Sequence, residues 1–178
     1  MSDFNKHPNF EYIRKCYSNP LYGTFFNKTN NELIRIFHDD GWLEFKHESR
    51  NYKMTDIRVK ALKETQYVGY TKMAEYEKKS EYRISKFKET ITYLQQYGSV
   101  ILIRMPLDED FLKLENGFFE NFDDRMMKIS ATYNIPYFNY SRDHNYKTYD
   151  GSHLFSESAK TFTKNVCIDI KNYQKNQP

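Results

Sequence analysis

The sequence predicts an α/β fold: a three-layer sandwich with a mostly parallel sheet, incomplete on its amino-terminal side. Three observations lead there. Residues 99–105 (SVILIRM) are an unbroken β-branched and aliphatic run stopped by Pro106. A continuous run, unlike an alternating one, marks a strand covered on both faces. Residues 135–140 (IPYFNY) form a second short apolar run, and three amphipathic patterns flank the pair. Residues 74–174 therefore read helix, strand, helix, strand, loop, helix, the alternation of right-handed crossovers in a parallel sheet.

The chain of 178 residues has room for one ordinary domain, here with an irregular part over 1–73 and a regular part over 74–174. Aromatics make up 17%, carried by 14 Phe and 16 Tyr, enough apolar mass to set against conformational entropy and exclude disorder. Lys and Arg total 27 against 24 Asp and Glu, a net +3, which gives no footprint for nucleic acid. No stretch approaches the ~20 apolar residues of a membrane span. The amino terminus, MSDFNKHPNFEY, lacks an apolar signal region. As written, the chain is expected in the cytoplasm, or in the cell envelope if it comes from a longer protein.

Taken in order, residues 8–17 fit a short helix, with Phe10, Ile13 and Tyr17 at helical spacing. Asn19-Pro20, Gly23 and the polar run 27–31 are turn and loop chemistry. Leu33 to Phe37, the turn His38-Asp39-Asp40-Gly41, then Trp42, Leu43 and Phe45 fit two short strands or a strand with a loop. Residues 46–70 are charged and nearly aperiodic, and read as a surface excursion. Tyr76, Ile84, Phe87, Ile91 and Leu94 give a helix over 74–96 closed by Gly98. Its run Glu75 to Glu81 is a solvated face. Residues 107–117 read as an acidic loop. Phe119, Phe122, Met126, Ile129 and Tyr133 mark a further helix, and Phe155, Ala159, Phe162, Val166, Ile170 and Tyr173 the last one, with Ser156 as N-cap.

Chemistry is expected beyond the carboxyl ends of the two strands, where ligands gather in open α/β sheets. The loop after the second strand, SRDHNYKTYDGSHL, places Asp150 and His153 three apart just before a helix. An Asp so placed can hold an imidazole in one tautomer and stabilise its cation, as a hydrolytic base requires. The same four residues also fit a plain β-turn, with Asp150 bonded to nearby backbone amides. Ser141 and Ser152 are the weak candidates for a nucleophile in this loop, and both also read as hydroxyls bonded to backbone. Asp143 and His144 could join Asp150 and His153 as metal ligands, but the spacing matches no metal motif. No metal and no cofactor is expected. Cys16 and Cys167 have no Cys or His partner at ligand spacing and read as buried or half-buried free thiols.

The order VILIRMP strand, helix, IPYFNYS strand, Asp-Gly-Ser-His-Leu and closing helix FSESAKTFTKNV resembles the carboxyl-terminal half of the SGNH (GDSL-type) hydrolases. The resemblance covers about residues 74–174. It is strongest for SGNH-like proteins linked to acyl transfer or deacylation on cell-envelope polymers, which also share a turn like Asp40-Gly41-Trp42. It implies a flavodoxin-like sheet, His153 as general base, Asp150 as its orienter, and ester hydrolysis or acyl transfer on a carbohydrate or cell-envelope substrate. The family's Gly-Asp-Ser nucleophile motif occurs nowhere in the chain. Gly23 and Asn27 are the nearest oxyanion candidates, at the wrong spacing. A base without a hydroxyl to activate cannot run acyl transfer. The chain then reads as a carboxyl half awaiting a nucleophile-bearing segment, or as an inactive remnant that binds or scaffolds. An incomplete sheet leaves an open strand edge, which invites pairing with a second copy or a partner chain.

Overall fold

The computed structural model describes residues 35–39, 41–49 and 52–176. The chain divides into two compact units, Met1–Lys53 and Met54–Pro178. The helix expected over 8–17, the turns at 19–31, and Cys16, Gly23, Asn27 and Asp40 lie outside the described residues.

In the first unit, β1 (Arg35–Phe37) and β2 (Leu43–Phe45) pair antiparallel, with Arg35 opposite Phe45. The turn between them closes with His38 N–H donating to the Trp42 carbonyl at 2.9 Å. Gly41 sits there at φ +86°, where a residue without Cβ avoids strain. Glu44 is buried, and its carboxylate meets His38 Nε2 at 3.0 Å. A second antiparallel pair joins β3 (Glu48–Ser49) to β4 (Tyr52–Lys53).

The second unit opens with a long helix. Much of the stretch expected to be a surface excursion is α1 (Asp56–Tyr76), a helix of 21 residues capped by Thr55, whose hydroxyl accepts from Arg58 N–H at 3.3 Å. Its half-buried stripe runs Val59, Leu62, Lys63, Gln66, Tyr70 and Ala74. Steps of three and four are present, but the stripe mixes polar with apolar residues and hides its period. The helix expected over 74–96 begins anew at Ser80, which caps α2 (Glu81–Leu94) by accepting from Arg83 N–H at 3.2 Å. The acidic loop after the first strand is in fact α3 (Glu109–Phe118), burying Phe111 and Leu112. Then come α4 (Phe122–Tyr133) and α5 (Ser156–Lys175). The N-cap of α5 is Phe155, so Ser156 is its first helical residue, not its cap. Cys167 is exposed, because it falls on the outer side of α5, away from Phe162 and Val166.

Two strands of this unit, β5 (Leu102–Arg104) and β6 (Tyr137–Asn139), pair in parallel with Leu102 opposite Tyr137. The class is thus mixed helix and strand, with five helices and a small parallel sheet among the described residues. Ile91, Met126, Ile129 and Ile135 form the core that joins α2 and α4 to the strands, with Leu102 and Tyr137 packed on it. Tyr146, Phe162 and Val166 form a second core under α5. Along β6 the pleat alternates: Tyr137 joins the first core, and the Phe138 ring meets Tyr173 of α5 edge-on at 6.1 Å. The first strand is not covered on both faces as its composition suggests, since Ile103 is 38% exposed. Leu102 N–H donates to the Pro136 carbonyl at 2.9 Å and the Arg104 carbonyl accepts from Tyr140 N–H at 3.0 Å. Ile101, Ile103 and Met105 therefore turn their backbone groups to the opposite edge, where no described strand pairs.

A charged group ends the apolar run. Arg104 is 8% exposed, and it donates to Asp123 at 2.8 Å, Glu115 at 3.2 Å and Asn116 at 3.0 Å. Its guanidinium lies over the Phe122 ring at 4.8 Å. The Tyr137 hydroxyl donates to the same Asp123 oxygen at 2.7 Å, and Tyr140 donates to Asp169 at 2.6 Å.

Burial pushes both phenols above their ordinary value of 10.0, and the bond each makes to a carboxylate pushes the same way. The folded chain therefore holds two protons that the unfolded chain releases near pH 10. Their contribution to stability is intact below about pH 10 and is lost as pH rises beyond it. Urea midpoints measured from about pH 8 to 11 are expected to fall above pH 10, and less steeply in Tyr137→Phe than in the parent.

Candidate functional site

The loop that follows β6 is held in shape at both ends. Thr148 and Leu154 form an antiparallel bridge, and Tyr149 N–H donates to the His153 carbonyl at 2.9 Å. Phe155 N–H donates to the Lys147 carbonyl at 3.1 Å, so the chain folds back on itself before entering α5. At the tip Gly151 takes φ +94°, a conformation that L side chains rarely adopt.

Asp150 organises that tip. Its side chain is 12% exposed. One oxygen, Oδ1, accepts from His153 N–H at 2.9 Å, Ser152 N–H at 3.0 Å and the Ser152 hydroxyl at 3.3 Å. The other, Oδ2, meets His153 Nδ1 at 2.8 Å. The plain turn and the acid–imidazole pair are therefore the same object. The amides fix the carboxylate, and the carboxylate fixes the ring. An ionised carboxylate is acceptor-only, so this contact favours, in a neutral ring, the tautomer with its proton on Nδ1 and its lone pair on Nε2. The imidazole stacks on Tyr149 with centroids 5.7 Å apart and planes 16° from parallel. Its side chain is 56% exposed, and Nε2 has no protein partner among the described residues.

Neither serine candidate faces that nitrogen. Ser152 Oγ lies 3.1 Å from Nδ1, the nitrogen already engaged by Asp150, so it sits on the wrong side of the ring to give up a proton to Nε2. Ser141 is fully buried and donates to its neighbour Asn139 at 2.7 Å. Asp143 caps its own turn by accepting from Asn145 N–H at 3.0 Å. His144 lines a separate cleft with Glu109, Leu112, Lys113, Asn116 and Arg142. Among the described residues no three His, Cys, Asp or Glu side chains converge as metal ligands.

The residues that sequence reasoning missed are those that brace the loop from elsewhere. Phe111 of α3 packs against Gly151 so closely that a Cβ added there would sit 2.0 Å from the ring. Tyr67 and Tyr70 of α1 meet the same ring edge-on, each at 5.6 Å. Asp108 N–H donates to the Gly151 carbonyl at 3.0 Å. These partners lie 40 to 84 positions from Gly151 in the chain, and no local spacing announces them.

No protein-family model, curated protein or solved structure matches the chain.

Gly151→Ala joins two penalties, a strained positive φ and a methyl driven into a buried ring. It is expected to cost about 2–5 kcal/mol in urea unfolding. The same methyl on Gly98, which has open space around it, is expected to change stability by less than about 1 kcal/mol.

Proposed function

We propose that this chain carries the base-and-orienter half of an SGNH-type ester hydrolase or acyltransferase. In this reading His153 is the general base, Asp150 holds and stabilises it, and the nucleophilic serine comes from another segment. The observation that carries the reading is the polarity of the ring. Asp150 occupies Nδ1 at 2.8 Å, while Nε2 has no described partner and the ring is more than half exposed. A base exposed in this way is ready to be covered by a second surface that brings the hydroxyl.

The reaction follows from that arrangement. A serine hydroxyl placed on Nε2 gives its proton to the ring as its oxygen bonds to the ester carbonyl carbon. The imidazolium that forms is stabilised by the Asp150 carboxylate. Collapse of the tetrahedral adduct breaks the ester C–O bond, and the departing alkoxide takes the proton back from Nε2. The acyl group then passes to water in hydrolysis, or to a second hydroxyl in transfer. The substrate class, an ester on a carbohydrate or cell-envelope polymer, rests on the family resemblance.

Two fold features support the same reading. Helices reach both faces of β6, as a three-layer sandwich requires, through Tyr137 and Phe138. The edge of β5 on which no described strand pairs offers backbone groups on which a second copy or a complementing chain could extend the sheet. A second reading, an inactive remnant that binds or scaffolds, is favoured by the missing Gly-Asp-Ser and by the absence of any described hydroxyl at Nε2.

Three measurements test these readings. Nitrogen NMR of the neutral His153 ring should show the proton on Nδ1, and Asp150→Asn should move it to Nε2. A parent ring protonated on Nε2 rejects the base assignment. The purified chain should not label with a fluorophosphonate and should hydrolyse p-nitrophenyl acetate no faster than equimolar imidazole. Labelling that disappears in His153→Ala would place the nucleophile within this chain. Labelling that appears only on mixing with a Gly-Asp-Ser-bearing segment separates the catalytic half from the remnant.

A further inference from the structure

The residue just before α3 is an aspartate at an N-cap position, where an Asp side chain ordinarily accepts from the backbone amides of the first turn. Asp108 does not. Its side chain makes no cap hydrogen bond to α3. It forgoes that contact, and both oxygens bond to groups outside its own helix. Oδ1 accepts from the Thr148 hydroxyl at 2.5 Å. Oδ2 forms an ion pair with Lys63 of α1. The backbone N–H of the same residue donates to the Gly151 carbonyl.

Asp108 thus holds the loop at residue 148 on one side of Asp150 and at residue 151 on the other. Lys63 anchors the carboxylate from α1. Thr148 is 4% exposed, while the Asp108 side chain that it bonds is half-buried. A carboxylate that must present one oxygen to Nδ1 and the other to two amides tolerates little displacement of its own backbone. The ordinary role of an Asp before a helix does not account for this arrangement.

We infer that Asp108 is a positioning residue for the His153–Asp150 pair: through Thr148 and Gly151 it fixes the backbone of Asp150, and Lys63 fixes Asp108. The inference rests on the base assignment proposed above. Asp108 touches neither ring nor substrate and acts only through the loop.

The test reads the protonation site of the neutral His153 ring by nitrogen NMR in the full chain. In Asp108→Ala the ratio of the Nδ1–H to the Nε2–H form is expected to fall at least about threefold, because the carboxylate of Asp150 is no longer held on the ring. Asp108→Asn keeps an acceptor for Thr148 and should hold the ratio within about twofold of the parent. Thr148→Val removes one hydrogen bond at nearly constant volume and should reproduce the loss, which decides the matter if Asp108→Ala does not fold. A purely structural role predicts lower urea midpoints with the ratio unchanged in both Asp108→Ala and Thr148→Val, and that result overturns the inference. A parent ring already protonated on Nε2 overturns the base assignment itself, so the two failures are told apart by the parent spectrum.

Discussion

The ring of Phe111 fills the volume that any side chain at position 151 would need. Three parts of the second unit meet at that contact: α1 through Tyr67 and Tyr70, α3 through Phe111 itself, and the loop before α5 through Gly151. A glycine at positive φ lets the loop turn sharply enough to bring the Asp150 carboxylate back over its own amides. The buried ring keeps that turn from relaxing. If the ring is displaced, the loop loses the surface it is pressed on; if the glycine is replaced, the turn loses its conformation. The acid–imidazole geometry is a downstream result of this packing, since neither Asp150 nor His153 makes a direct bond to the helices that support them.

The site and the sheet solve different electrostatic problems with related parts. Near the end of β5, Arg104 is buried among Asp123, Glu115 and Asn116, a cation that would be costly to desolvate without partners. Its bonds fasten the carboxyl end of the strand to α3 and α4. The loop at Asp150 instead leaves its imidazole outward and buries the anion that controls it. The first arrangement neutralises charge to make a rigid platform. The second sets a buried carboxylate against one nitrogen of an exposed ring.

Much of this architecture was legible in the sequence, for identifiable reasons. Helices α2, α4 and α5 and strands β5 and β6 show clean apolar periodicity or short dense runs, as in Phe87, Ile91 and Leu94 or in VILIR. Helix α1 was hidden because Lys63 and Gln66 occupy its inward stripe, and Lys63 is there to meet Asp108 rather than to fill a core. Helix α3 was hidden because its acidic first turn and the pair Asn116-Gly117 resemble a loop, although acidic residues are favourable at a helix amino terminus. The break between α1 and α2 carries neither Gly nor Pro, and only the capping hydroxyl of Ser80 marks the restart. At the site, the spacing of Asp150 and His153 suffices to suggest their bond. Which ring nitrogen Ser152 approaches, and which distant residues hold the loop, depend on tertiary contacts that no local pattern encodes.

The edge of β5 on which no described strand pairs has a bearing on colloidal behaviour. An unpaired strand of aliphatic residues is a template on which other chains can assemble into fibrils. Here the template is cut short. The strand itself spans three residues, and Pro106, with no N–H to offer, lies immediately beyond Met105. An incoming strand finds a ladder too brief for cross-β stacking, and the buried charge of Arg104 interrupts the aliphatic run that a dry zipper would need. The edge is thereby guarded against indiscriminate self-association.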